Sequence, residues 1–255
     1  MPFLPLRSPA LPFDRHGARL WARSSQGRRW LALEERELRR VLPEVFGRHC
    51  LQIGSWGRGA RLLQGAETLH QAVVGSVSGL GDPLLARPEQ LPLRSGSVDA
   101  ILLPHTLEFS AHPHAVLREV DRVLSDRGRL FVLGYSPWGS WALRSRLGLR
   151  YRAFPSSARF RRAGQVADWL ELLDYEVAEI RRFSLGFPWL RPHSETPRPG
   201  WNPSWSWLAD AWLLVARKRV TPVNWIGRAQ RLPLPRLGGV APAAGAGRDA
   251  ALGPP

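Results

Sequence analysis

A chain of 255 residues with 44% hydrophobic content is one ordinary domain of about 100–200 residues plus appendages, with enough apolar side chains for a real core. Its single cysteine, Cys50, excludes an intramolecular disulfide and thiolate zinc sites, and no uncharged apolar run reaches the ~18 residues needed to cross a membrane. The formal charge of +15 invites a nucleic-acid partner, but Lys218 is the only lysine, the arginines are scattered, and no helix-turn-helix or aromatic RNP signature accompanies them.

The opening residues are interrupted by Pro2, Pro5, Pro9 and Pro12 and lack the apolar core of a signal peptide, which fits a soluble, cytoplasmic protein. Residues 1–29 read as an irregular arm. A helix is expected from near Trp30, where Leu38, Val41, Leu42 and Val45 share one apolar face and Glu34, Glu35, Arg36, Glu37 and Arg39 are assigned to the wet face. Pro43 ends it. Four short apolar runs then read as strands: Cys50 to Ile53 before Gly54, Ala72 to Val74 before Gly75, Val98 to Leu103 before Pro104, and Leu130 to Leu133 before Gly134. Near-continuous apolar character predicts strands buried on both faces, as in a parallel sheet.

Between these runs, Pro113 opens a helix marked by Leu117, Val120 and Leu124, and His112 is placed to cap it. Val166, Trp169, Leu170 and Leu173 mark another helix, and Tyr175, Val177 and Ile180 alternate as a half-exposed strand. Trp212 to Ala216 make a last strand before the cluster Arg217, Lys218 and Arg219. Residues 220–255, rich in proline, alanine and glycine, read as a disordered basic tail, leaving 30–219 as the folded domain. Alternating strands and helices predict an open α/β sheet of the Rossmann-like kind, with ligands at the carboxyl ends of the strands.

The stretch Pro88 to Gly134 is the most informative. It carries Leu91, Pro92 and Leu93, then Ser97, Val98 and Asp99, then His105, Thr106, Leu107 and Glu108, then Arg122, Val123, Leu124 and Gly128. In order, spacing and residue type this resembles the type-11 branch of class I S-adenosylmethionine (SAM) methyltransferases, and the arm and closing strand resemble bacterial YafS-like members. The resemblance implies a seven-stranded, mostly parallel sheet with helices on both faces and an antiparallel last strand. It also implies SAM as methyl donor. The bend LQIGSWGRG then matches the family's first motif, where glycines let main chain approach the donor.

Carried over residue by residue, the resemblance places Gln52, Gly54, Ser55, Trp56 and Gly57 at the methionine end of the donor. Ser76 falls at the ribose side, Arg87, Glu89, Gln90 and Leu91 at the adenine side, and His105 near the sulfonium. His105 is the candidate catalytic residue, a contact or general base, although direct displacement by an oriented acceptor obliges no particular side chain. Glu108 is a candidate substrate contact. The chain departs from the family at three acids: Gln52 replaces the first, no carboxylate follows Val74, and Arg87 stands in place of the third. Each missing charge-assisted hydrogen bond costs about 1.5–3 kcal/mol of affinity if nothing replaces it.

Asp99 matches the family's strand-four aspartate, whose role is structural as often as functional. Trp201, Trp205, Trp207 and Trp212 suit core packing better than an acceptor pocket, and the arginines at 144, 146, 150, 159, 161 and 162 could meet an anionic substrate, although such runs are more often solvated helix faces. His105, His112 and His114 lack a metal-binding spacing. The functions carried forward are methyl transfer to an unidentified acceptor, a methyltransferase fold retained as an inactive binding or scaffold module, and a basic protein associated with nucleic acid or methylating it.

Overall fold

The computed structural model describes residues 24–57, 59–75, 84–139, 159–184 and 209–219. The expected arm before Ser24, the tail after Arg219, Ser76, Trp201, Trp205, Trp207, Arg144, Arg146 and Arg150 all lie outside these residues.

Helix α1 spans Ser25–Val41 and starts five residues before Trp30, because the Ser24 hydroxyl accepts a hydrogen bond from the Gly27 amide at 3.0 Å and caps the first turn. A 3-10 turn at Leu42–Glu44, with Pro43 in its first positions, ends the helix and feeds β1, Phe46–Ile53. β2 (Glu67–Gly75) and the two-residue β3 (Leu84–Leu85) follow. Next come β4 (Val98–Pro104), a single turn α2 (Thr106–Phe109) and α3 (Pro113–Val123). The order closes with β5 (Leu124–Tyr135), α4 (Ala163–Glu171), β6 (Tyr175–Phe183) and β7 (Ala211–Lys218). His112 does occupy the cap position of α3, but its side chain makes no cap hydrogen bond.

The seven strands lie in the order β3-β2-β1-β4-β5-β7-β6, and only β7 runs antiparallel to its neighbours. Register makes apolar rows across the sheet. Ala72, Leu51, Ile101, Leu130, Ala216 and Val177 follow one another from β2 to β6 and face α3 and α4. The next row, Val73, Gln52, Leu102, Phe131 and Val215, faces α1 on the other side. Both faces are therefore covered, which is why the strands read as continuous apolar runs rather than as alternation. Gln52 is the one polar member of its row, and it is fully buried.

Two details fix the sheet around the ligand edge. At the opposite edge the Asp99 carboxylate accepts the Arg48 and His49 amides at 2.7 and 3.1 Å, so this aspartate is structural. At the ligand edge Gly134 pairs with Trp212 across β5 and β7, and a Cβ at position 134 would overlap the Trp212 ring. Trp212 is held there by its indole N–H, which donates to the Arg161 carbonyl at 3.0 Å. Gly134→Ala is therefore expected to destabilise the protein by about 1–3 kcal/mol, the usual range for overpacking a core. Urea unfolding with an unchanged m-value checks it, and a loss below ~0.5 kcal/mol would show that the ring moves aside freely.

Candidate active site

The bend after β1 and the end of β4 meet at the carboxyl edge of the sheet. The Thr106 hydroxyl donates to the Ile53 carbonyl at 2.5 Å, joining the two strand ends. Gly54 lies at φ +113°, and a Cβ there would stand 2.8 Å from that hydroxyl oxygen, so the position requires glycine. Gln52 organises the same bend from inside. Its amide nitrogen donates to the carbonyls of Gly54 at 2.8 Å and Trp56 at 2.9 Å. A carboxylate could not donate to either carbonyl, so glutamine here locks the loop where the family's acid would not. The Gln52 carbonyl oxygen is buried without a hydrogen-bond partner.

His105 is fully buried at the tip of β4 and adopts φ +54°, a left-handed conformation rarely taken by residues other than glycine. Both ring nitrogens are engaged: Nδ1 with Glu108 at 3.0 Å and Nε2 with Glu34 of α1 at 2.7 Å. The Tyr135 ring stacks on the imidazole at 3.9 Å, and Trp56 meets it edge-on at 4.8 Å. Glu34 also accepts the indole N–H groups of Trp30 at 2.5 Å and Trp56 at 2.7 Å. Glu108 accepts the Tyr135 amide. Burial pulls the His105 pKa down, but Glu108 and then Glu34 outweigh it and raise it from 6.5 to about 9. At neutral pH His105 is an imidazolium donating from both nitrogens.

This arrangement removes the general-base role expected of His105, because a base needs a free lone pair. It also corrects the assignment of Glu34 and Glu37 to the wet face of α1. Glu34 is fully buried, and Glu37 is nearly so, holding Arg40 at 2.9 Å and Arg181 at 3.2 Å. The missed signal was spacing, since Glu34 stands four residues after Trp30 and four before Leu38, inside the apolar stripe. Glu108 is a partner of His105 rather than an open substrate contact. Trp56 turns its indole inward as a wall of the cluster, while Ser55 and Gly57 are half-buried along the bend.

Two carboxylates thus flank one imidazole ring. The Arg161 guanidinium interacts with Glu108 from the outer side. Among the described residues Glu34 has no cationic partner besides His105.

The adenine-side residues form a braced loop. The Glu89 carboxylate accepts the Ser110 hydroxyl at 2.8 Å. Leu91 is buried, its amide donating to Glu119 at 2.7 Å and its carbonyl accepting from Arg122 at 3.1 Å. Arg122 also donates to the Leu93 carbonyl and the Ser95 hydroxyl. Arg87 and Gln90 bridge through their backbones and are exposed, so the Arg87 charge is in solvent, where its repulsion of a cation is weak. Arg161 and Arg162 are not simply solvated, lying over the rings of Trp169 at 5.0 Å and Trp138 at 5.5 Å.

This sheet order, with its antiparallel seventh strand and glycine bend after β1, defines a Rossmann-like methyltransferase fold. Residues 65–132 match the methyltransferase domain family. The uncharacterized protein YafS of Escherichia coli is 32% identical over 217 residues, covering 85% of this chain and 88% of YafS. The ubiquinone/menaquinone biosynthesis C-methyltransferase UbiE of Rubrivivax gelatinosus is 29% identical over 161 residues, 59% of this chain and 62% of that protein. A SAM-dependent methyltransferase from Thermotoga maritima, described as a possible histamine N-methyltransferase, superposes with a TM-score of 0.55 at 19% identity. That match covers 80% of this chain and 99% of the other. The chain belongs to the methyltransferase domain family and is a homologue of YafS. No helix among the described residues is long and apolar enough to cross a membrane.

SAM is the donor that this membership implies. The Gln52 oxygen, without a hydrogen-bond partner among the described residues, offers an acceptor to an ammonium group, and the Glu34 carboxylate beside the bend suits a cation, so the polar groups at the bend fit it.

Proposed function

We propose that the protein transfers the methyl group of SAM to an acceptor, and that Glu34 supplies the negative charge that the strand ends lack. The supporting observation is the Glu34–His105–Glu108 cluster, which joins the glycine bend to the tip of β4 and sets the Glu34 carboxylate, ion-paired among the described residues with His105 alone, in a buried position beside that bend. When bound, SAM supplies an electrophilic methyl group on cationic sulfur.

Gln52, Gly54, Ser55, Trp56 and Gly57 hold its amino-acid end, and Ser76, Arg87, Glu89, Gln90 and Leu91 its nucleoside end. His105 acts as a positioning residue that holds both carboxylates in place. Because transfer discharges the sulfonium, an anionic wall acts mainly on donor binding.

Calorimetric titration with SAM and with its neutral-sulfur product, S-adenosylhomocysteine, tests this reading. Glu34→Gln removes the charge and keeps the size of the side chain; its one carbonyl oxygen can still accept from Trp30 and His105, while its amide nitrogen cannot accept the Trp56 indole N–H. It is expected to weaken SAM binding about 10–100-fold and S-adenosylhomocysteine binding less than about threefold. Equal losses for the two ligands would remove Glu34 from donor recognition. The inward indole of Trp56, which closes the bend from within, favours a second reading as a methyltransferase-fold binding module without turnover. That reading stands if neither nucleoside gives heat at millimolar concentration.

A further inference from the structure

Beyond Tyr135, β5 runs out into Ser136, Pro137 and Trp138. These residues form one wall of a cleft of about 470 Å³, within the range of small-ligand sites. Trp212 and the start of α4 complete its lining, so the cleft begins one residue along the chain from the ring stacked on His105. Its chemistry differs from that of the buried cluster. Trp138 is 44% exposed, an unusual placement for a large aromatic ring, and the Arg162 guanidinium lies 5.5 Å from its ring centre.

Arg162 and Arg182 both line the cleft, and neither forms an ion pair among the described residues. The cleft is also where α4 begins. The N-cap residue of this helix, Arg162, makes no side-chain cap hydrogen bond and its first turn carries no acid, so the amides of Ala163, Gly164 and Gln165 add partial positive charge. Gly164 has open space where a Cβ would be. Among the described residues Asp168 is the one carboxylate in the lining, a turn further along α4.

We propose that this cleft binds the methyl acceptor and that the acceptor is a small aromatic acid. Its ring lies along Trp138, and its carboxylate faces Arg162, Arg182 and the amino end of α4. A cavity of this size holds one or two fused rings, and two guanidiniums beside uncapped amides recognise a carboxylate. The inference rests on the methyl-transfer reading only for what happens to the bound acid. There, its nucleophilic oxygen or nitrogen bonds to the methyl carbon as the methyl–sulfur bond breaks. The electron pair stays on sulfur and the acceptor's proton passes to water.

Binding is measured on the full chain without donor, using 6-hydroxy-2-naphthoate, its uncharged methyl ester and inorganic phosphate as calorimetric probes. The acid is expected to bind at least tenfold more tightly than the ester or phosphate. Arg182→Gln is expected to weaken the acid about tenfold or more. Gly164→Asp places an acid in the first turn, where it favours the helix, and should abolish binding while leaving the melting temperature unchanged or raised. Equal affinity for acid and ester, tight binding of phosphate alone, or indifference to Gly164→Asp would each overturn the proposal. If the acid binds as described while SAM and S-adenosylhomocysteine do not, the cleft stands and the methyl-transfer reading fails. The reverse pattern retires the cleft alone.

Discussion

Glu34→Ala is expected to lower the melting temperature by roughly 6–20 °C, the largest effect of any single substitution considered. The carboxylate it removes accepts from Trp30, Trp56 and His105 within 2.7 Å, and all four side chains are buried. Alanine removes the carboxylate to which two indole N–H groups and one imidazolium N–H donate in a dry interior. Breaking a buried charge pair by deleting one partner typically costs about 3–5 kcal/mol, and a domain of this size loses about 2–4 °C per kcal/mol. Glu44→Ala provides the contrast. That carboxylate pairs with Arg129 at 2.8 Å but is 64% exposed, so its loss should fall within about 1 kcal/mol. Calorimetric melting checks both, and a drop under about 2 °C for Glu34→Ala would show that water or a neighbouring group replaces the carboxylate.

The second large effect is on pH. His105 has a folded pKa near 9 against 6.5 for an unperturbed imidazole, because Glu108 and Glu34 overcome the opposing effect of burial. A group whose pKa rises on folding binds its proton more tightly in the folded state. Its contribution is therefore complete below pH 6.5 and is lost as pH climbs through about 9. The full contribution is about 3 kcal/mol. Stability measured by urea unfolding should fall across this window, whereas in His105→Gln the fall between pH 6.5 and 8.5 should vanish. Only the smaller fall above it remains, from Cys50, whose thiol is pushed up by burial from 9.0 to about 12. The raised ionisations of Tyr135 and Tyr175, both driven first by burial, lie above the window and leave it clear. Parallel profiles for the two proteins between pH 6 and 9.5 would mean that residue 105 carries no proton linked to folding.

Much of the sheet was legible because its strands are buried on both faces, so Leu51, Ile101 and Leu130 sit in runs that no amphipathic helix would show. The reading stopped where burial stopped. Phe46 to His49 and Glu67 to Gln71 extend β1 and β2 by pairing alone, with side chains in or near solvent, and composition does not mark such residues as strand. β3 has two residues, too few for any periodicity. The start of α1 was missed because Gly27, Arg28 and Arg29 carry no apolar pattern, although Ser24 was available as a cap.

At the site, His105 was identifiable from its place after β4 and Gly54 from its place after β1. Their partners were not. Glu34 was read by its charge instead of by its position on the stripe, and its contact with a residue 71 positions away leaves no trace in local spacing. Asking why a glutamate lies four residues from both Trp30 and Leu38 would have singled it out.

The 71 positions between Glu34 and His105 also set a timetable for synthesis. Helix α1 leaves the ribosome well before the strand that neutralises its buried acid. At about 5–20 residues per second, roughly 4–14 s pass before residue 105 has been added. Through that interval the Glu34 carboxylate on the apolar stripe of α1 lacks its His105 partner, so the hydrogen bonds that join α1 to the tip of β4 are complete only after β4 has been made.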